Sequence, residues 1–590
     1  MRSLLAFMLL AGCAAPLPPP PPPAVPREPP PCAAAPPVAV SHGPCEGERF
    51  GLPEGADAIA RANIAKKRGT MGAAATRMVA TSNAIATEAG LTVLRSGGNA
   101  ADAFVAAALV DDLVLPGVTS TAGLAGVLVY EAKSRTLTYV HGGLADPVDP
   151  ARRFRHGDVE SGRLVLVPGA PSAYAEVIRR FGRRSLADAV EPAASLASTG
   201  FPIDALYAGS IADSRAKLEA SAFGRAAFFR GGRVLREGET LKLEETAKTL
   251  RSFGKDPRWF YRGPWVDAAV RTANEHGGSL AARDFLAYAV EVGPALHGRY
   301  LGYDVYAGGL GGATLLASLA ALESLRGGEP ARPLTASADE LQLLLRITGQ
   351  ARDARPALGK RGLVTAGGTA DALVAAAAQT IIARARAGAA AKPSGPGGSH
   401  SSAVIVVDAD GNVVVGTHTI EALNWGEGLF VGGVPLSTSA ATGFDDPGAA
   451  PLAQRADPLS DTIVVKDGEP RAALAVYGSG LFPGDLQVLD ALLARGLDAE
   501  QAVLEPRVGH VEWDAKRMTA NVTKRVVDPR FDADLLCQLQ ARGFTLERSM
   551  PGSRAGFVDT GFPTLVTIAP GHLHGMTPDA PFVHGLAAGD

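Results

Sequence analysis

The chain predicts an α+β protein with helices layered on sheet, and three stretches carry that prediction. Met78-Val79-Ala80-Thr81-Ser82 is strand-like and is followed at once by apolar residues at helical spacing from Ala84 to Arg95. Ala100 to Leu113 reads as a second, Ala-rich helix that leads through a small-residue loop, Thr119 to Gly126, into the strand Val127-Leu128-Val129-Tyr130. Far downstream, Ala403-Val404-Ile405-Val406-Val407, an Asp-Ala-Asp-Gly-Asn turn at Asp408 to Asn412 and a second β-branched run ending in Thr417, His418 and Thr419 read as a hairpin of two buried strands.

Composition sets the frame for these elements. At 590 residues, 46% hydrophobic and 20% charged, the chain has ordinary globular usage and enough length for several layers. A formal net charge of -3 offers no broad basic field, which argues against a nucleic-acid partner.

The elements follow in order. Arg2, the apolar run Leu4 to Leu10 and then Leu10-Ala11-Gly12-Cys13 form a short secretory signal ending at a lipobox, too short to span a membrane. Residues 1–13 resemble bacterial lipoprotein signals, which implies cleavage before Cys13 and acylation of its thiol. Ala14 behind it points to the outer membrane, facing the periplasm. The alternative is an ordinary signal peptide with a chance Cys.

Residues 14–77 form the tether, and Pro16 to Pro37 within it is an extended polyproline-type spacer. Cys32 and Cys45 have a spacing that permits pairing in an oxidising compartment, leaving Cys537 unpaired. No Cys-x-x-Cys occurs, so a thiolate metal site is not expected. The folded body is expected from about Met78. Gly97-Gly98-Asn99 stops the first helix, and Ala366 to Ala391 is largely helix-forming. Lys392 to Gly398 is a Pro, Ser and Gly loop before the hairpin.

The hairpin starts at a hydroxyl pair, Ser401-Ser402. A hydroxyl heading a rigid strand is able to attack its own preceding carbonyl, and the freed chain then begins with a nucleophile whose α-amine is the adjacent base. The structural alternative is that two Ser residues merely open a strand.

The surroundings carry a resemblance. MVATSNAIATEAGLTVLRSGGNAADAFVAAAL from Met78, followed by TAGLAGVLVYEAKSRTLTYV, strongly resembles the opening of γ-glutamyltransferases, which are N-terminal-nucleophile hydrolases. Val167-Pro168-Gly169, RRFGRRSLADAVEPAASLASTGFPI, Phe260-Tyr261-Arg262-Gly263-Pro264 and HGRYLGYDVYAGG from His297 fall in that family's order. The resemblance implies a four-layer αββα sandwich, made as one precursor that cuts itself into a large-subunit region, 78–400, and a small-subunit region, 401–590. The two fragments would stay associated, and no cofactor or metal would be needed.

Read back without gaps from Val406-Val407-Asp408, the family's first small-subunit Thr falls on Ser401 and the second on Ser402, which the resemblance makes a substrate-binding position. Matching the family's His to His400 instead places Gly398 at the nucleophile position and inserts three residues into a strand, which flips later side chains to the wrong face. Scission is therefore expected between His400 and Ser401. Thr419 falls on the family's Thr that hydrogen-bonds the nucleophile, and Thr417 also matches.

The substrate-holding positions differ. Where the family clamps a donor α-carboxylate with Arg, this chain reads His141-Gly142-Gly143-Leu144-Ala145-Asp146-Pro147. The family's Asn becomes Glu421, or Asn424 if one residue is gapped, and Ser437 to Gly443 offers hydroxyls in place of Gln and Asp. The Ser-Ser pair falls on a shortened Asp457 to Thr462. The oxyanion glycines fall near Gly478-Ser479-Gly480-Leu481-Phe482, where backbone donors of Gly480 and Leu481 remain able to serve.

Glu421 facing the pocket would favour an amine-bearing or neutral donor; its alternative is a solvated hairpin residue. Gly308 to Gly312, the pair His572 and His574, and Ser214-Arg215-Ala216-Lys217 receive no role. The expectation is a lipid-anchored envelope enzyme that self-processes at Ser401 and hydrolyses or transfers an amide-linked acyl group of a small peptide or amide. The competing class is a catalytically silent family member serving as an envelope binding or structural protein.

Overall fold

The computed structural model describes residues 69–148, 162, 165–354, 358, 368–388, 401–422, 424–437, 454, 459–478, 481–509, 512–514, 519–521, 525–527, 531–544, 546–548, 561–580 and 583–590. Cys13, Cys32, Cys45, the loop before Ser401, most of Ser437 to Gly443, and Gly480 lie outside them.

The strands that build the sheets are, in chain order, β1 (Gly69–Ala74), β2 (Met78–Thr81), β3 (Leu124–Glu131), β4 (Thr136–Gly142), β5 (Glu291–Pro294), β6 (Leu296–Tyr300), β7 (Tyr303–Ala307), β8 (Ser402–Val407), β9 (Val413–Thr419), β10 (Thr462–Lys466), β11 (Glu469–Tyr477), β12 (Phe562–Ala569), β13 (His572–Ala580) and β14 (Leu586–Gly589). The helices on their outer faces are α1 (Ala84–Arg95), α2 (Ala100–Val114), α3 (Ala170–Phe181), α4 (Leu186–Thr199), α5 (Gly309–Arg326), α6 (Ala338–Ala354), α7 (Gly368–Arg386) and α8 (Leu481–Leu493).

Two antiparallel sheets result. One runs β14-β2-β8-β9-β3-β4-β5, and the other β1-β13-β12-β11-β10-β7-β6, with Val583–His584 pairing beside β13. Alternate side chains of one strand enter different cores, as the two-residue period of a strand requires. Val404 and Val406 pack with α1 to α4, whereas Ala403, Ile405 and Val407 pack against Ile463, Ala473 and Ala475 of the facing sheet. A third core joins α5 to α8 to the outer face of that second sheet through Val305, Val464, Leu474 and Leu565. Helix, sheet, sheet, helix is thus the layer order: the αββα sandwich of the N-terminal-nucleophile hydrolase type, in the α+β class.

The strands are apolar on both faces because both faces are covered. Local signals fix the helix starts. Asn83 accepts from Ile85 N at 2.9 Å to cap α1, and Asn99 with Asp102 forms a capping box for α2.

Two expectations are corrected. Gly69–Ala74, assigned to the tether, is the edge strand β1 and pairs with β13 from Gly69↔Pro578 to Ala74↔Leu573. Cys537, expected unpaired, is disulfide-bonded, its partner lying outside the described residues.

Candidate active site

Ser401 stands immediately before β8, where it is 3% exposed, and its Oγ has no hydrogen-bond partner among the described residues. A buried hydroxyl without a partner is uncommon in a folded protein and marks a place where chemistry or a ligand is to be sought. Its direction follows from the strand. Ser401 shares a face with Ala403, which packs in the core between the sheets with Tyr477 and Leu481. Leu481, the first residue of α8, therefore lies in the same interlayer core as the head of β8.

The partner strand supplies the rest. Ser402 pairs with His418 and Ala403 with Thr417, so the next step along the register sets Thr419 opposite Ser401. Thr417 and Thr419 point to the interlayer side, and His418 between them points to the helices. Thr417 Oγ1 donates to Asp461 Oδ1 at 2.6 Å, which joins the site to the loop entering β10. Glu421 N donates to Thr419 Oγ1 at 2.7 Å. With that lone pair occupied, the Thr419 hydroxyl directs its own proton elsewhere. Glu421 is 7% exposed and adopts φ 56, so it is a buried residue in the left-handed region and not a solvated hairpin position.

Ser402 faces the other way. Its Oγ donates to Asp111 Oδ2 at 2.6 Å and lies 2.9 Å from Ser82 Oγ, with no exposed surface. As placed, the hydroxyl that the resemblance gives to substrate is committed to α2. Around it sits a charged cluster. His418 Nε2 lies 3.6 Å from Asp111 Oδ2 and its Nδ1 3.3 Å from Asp112 Oδ1, ion-pair distances on both sides of one ring. Thr121 Oγ1 donates to Asp112 Oδ2 at 2.9 Å, and the Tyr174 ring meets the imidazole edge-on at 6.4 Å.

Burial opposes charge on His418, but the two carboxylates outweigh it and push its pKa up to about 9. Burial raises Asp111 in spite of His418 and Ser402. Sequence reasoning missed this cluster. Its available signal was a pair of adjacent acids, Asp111-Asp112, in a helix that is apolar apart from its capping Asp102, and a His inside a β-branched strand.

The stretch where the family's carboxylate-clamping Arg is expected carries a different chemistry. His141, the next-to-last residue of β4, is stacked on Tyr139 with ring centroids 6.0 Å apart, and its Nδ1 lies 3.7 Å from Glu291 Oε2. Gly143 N donates to Gln454 Oε1 at 2.9 Å. Of the expected Ser pair, Ser460 is bonded to Asp485, a carboxyl that burial pushes well above the usual carboxylate range. No group of three or more His, Cys, Asp or Glu able to hold a metal occurs among the described residues.

The gamma-glutamyltranspeptidase family model matches residues 86–569. A glutathione hydrolase proenzyme of Escherichia coli (strain K12) is 27% identical over 509 residues, covering 79% of this chain and 85% of that protein. An acylase ACY 1 proenzyme of Pseudomonas sp. (strain V22) is 27% identical over 460 residues, 73% of this chain and 82% of that protein. A glutathione hydrolase proenzyme of Bacillus subtilis (strain 168) is 31% identical, but the match spans only 40% of its length. In structure, a cephalosporin acylase from Bacillus halodurans superposes with a TM-score of 0.75 at 23% identity, over 88% of this chain and 97% of that one.

Proposed function

The chain belongs to the gamma-glutamyltranspeptidase family, and from that premise we propose that it is an N-terminal-nucleophile amide hydrolase or acyltransferase that activates itself by cutting before Ser401. The observation that carries this reading is the buried Ser401 hydroxyl, without a partner among the described residues, at the head of the central strand pair.

The chemistry runs in two stages. Ser401 Oγ attacks the His400 carbonyl, and the His400–Ser401 C–N bond breaks as the Oγ proton passes to the departing nitrogen, which leaves an ester and a free Ser401 α-amine; water then hydrolyses that ester to release the His400 carboxylate and restore the Ser401 hydroxyl. In turnover the α-amine takes the Oγ proton as Oγ attacks the donor amide carbonyl, and that proton passes to the departing amine. The acyl-enzyme is then released by water or by an acceptor amine. Thr419, opposite Ser401, orients the nucleophile, and backbone N–H groups at Gly480 and Leu481 receive the oxyanion.

The donor is not the γ-glutamyl group. A free α-carboxylate needs a cationic clamp, and the His141–Pro147 stretch holds no Arg, while the buried acids Glu421 and Asp461 stand just past β9 and just before β10, bonded to Thr419 and Thr417. An acyl group that is neutral or carries an amine fits these acids, and Glu421 is the residue set to select it. The acylase relative is consistent with such a shift. The signal and lipobox of residues 1–13 assign the enzyme to the cell envelope, anchored through Cys13.

Denaturing gels and N-terminal sequencing test the reading. Purified protein is expected to give two fragments, the smaller beginning at Ser401, whereas Ser401→Ala remains one chain and inactive. An uncut wild type, or Ser401→Ala with full activity, sinks the proposal. On γ-glutamyl anilide, turnover is expected at least about 100-fold below that on a neutral acyl anilide, the scale of a lost charge-paired contact. Comparable rates on the two would sink the specificity claim.

A further inference from the structure

We propose that His418, held as an imidazolium between Asp111 and Asp112, is a positioning residue that locks the head of β8 to α2, so that loss of its proton releases the nucleophile from its working place. The inference rests on Ser401 being that nucleophile. No contact between His418 and Ser401 is required, because the link runs through the strand: His418 is the cross-strand partner of Ser402, and Ser402 donates to the same Asp111 oxygen that faces His418.

The groups facing the ring come from four elements. Asp111 and Asp112 are on α2, Tyr174 on α3, Ser402 on β8, and Thr121 on the loop before β3. The side chains of His418 and Asp111 are fully buried, that of Asp112 is 4% exposed, and no Lys or Arg pairs with either acid among the described residues. One cation between two carboxylates leaves a net charge of -1; a neutral ring would leave -2 with no counter-ion. Isolated buried charge is too costly to persist, so deprotonation must break the arrangement.

A buried ion cluster of this kind is weak evidence for stability, since apolar residues of similar size would often do as well. Fixing one strand in one register is the better-attested use. Here the strand concerned is the one whose first residues are Ser401 and Ser402. The sign of the pH effect follows. The folded pKa of about 9 lies above the ordinary 6.5, so the clamp is complete below about 6.5 and is lost as pH rises through about 9. The Ser401 α-amine acts oppositely: it must be unprotonated to serve as base, which gives the acidic limb of the profile.

The test is the pH dependence of kcat and KM on the processed enzyme, with His418→Gln and Asp112→Asn beside the wild type. Wild-type kcat is expected to fall above about pH 9 with KM little changed. His418→Gln should have kcat lowered by about tenfold and no alkaline limb. Asp112→Asn keeps the Asp111 contacts but removes one carboxylate from the ring, and should move the limb down by about 1–2 pH units. An alkaline limb that stays in place in both variants overturns the proposal.

A second measurement is independent of activity. In Ser401→Ala protein the melting midpoint should drop between about pH 6.5 and pH 9, and the drop should vanish in Ser401→Ala/His418→Gln. An identical drop in both overturns the clamp whether or not Ser401 is the nucleophile; an uncut or still-active Ser401→Ala bears only on the nucleophile. Should His418→Gln fail to fold, the position of the limb in Asp112→Asn decides alone.

Discussion

Asp408 shows how far a single turn residue reaches. The Asp-Ala-Asp-Gly-Asn stretch reads as a turn, and the structure agrees: Asp408 Oδ1 accepts from Asp410 N and Asn412 N at 3.0 Å each. Its other oxygen accepts from Asn412 Nδ2 within the turn at 2.9 Å and reaches beyond it to accept from Ala100 N, also at 2.9 Å, in the first turn of α2. One carboxylate thereby satisfies donors on both sides of the 400/401 junction, at a helix N-terminus that favours negative charge. Asp408→Ala strands these buried N–H groups and is expected to cost roughly 2–4 kcal/mol, read as a lower urea midpoint with unchanged slope. A loss below about 0.5 kcal/mol would mean that water replaces the carboxylate. At this scale the sequence is legible where the partner is local, as for Asn83 and Asn99, and illegible where it is remote. Asp111 and Asp112 advertise themselves as acids in an apolar helix, but that His418 completes them is a fact of tertiary packing.

Among elements, β8 and β9 were the easiest to read and β1 the hardest, for one reason. A strand covered on both faces calls for an apolar run, and AVIVV within β8 and VVV at the start of β9 supply it. The edge strand GTMGAA pairs along only one side and carries no β-branched pattern beyond Thr70. Alternation along β9 explains both the success and the omission at the site: Thr417 and Thr419 share the face read as catalytic, while His418 turns to the opposite face. On β3 the absence of a side chain is what makes room. A Cβ on Gly126 would sit 2.3 Å from the Tyr139 hydroxyl and 3.1 Å from Asp461 Oδ2, the carboxylate that receives Thr417. Gly126→Ala is therefore expected to destabilise by about 1–3 kcal/mol through overpacking. It should also lower kcat more than KM changes, since Asp461 shifts beneath the site. Thermal melts and steady-state kinetics on the same preparation check both parts, and a variant with wild-type kcat would show that the Thr417–Asp461 contact does not hold the site.

The consequence of the topology is clearest for the molecule as a whole. A cut between His400 and Ser401 would yield two polypeptides, yet neither sheet belongs to one of them. In the first sheet β8 and β9 lie between β2 and β3, and β14 closes the other side of β2. In the second, β10 to β13 lie between β7 and β1. Separation would break the ladders β2–β8, β3–β9, β2–β14, β7–β10 and β1–β13 together and open all three cores to water. Each exposed Val, Leu or Ile side chain costs about 1.5–3 kcal/mol, and such residues occur on every one of these strands except β1, so the sum far exceeds the stability of a typical domain. The processed halves are therefore expected to elute together from a native sizing column at every protein concentration, and to part only in denaturant strong enough to abolish the far-ultraviolet circular dichroism. A residue 401–590 fragment eluting alone under native conditions would contradict this sheet order, because it would carry β8 and β9 into water with both their faces bare.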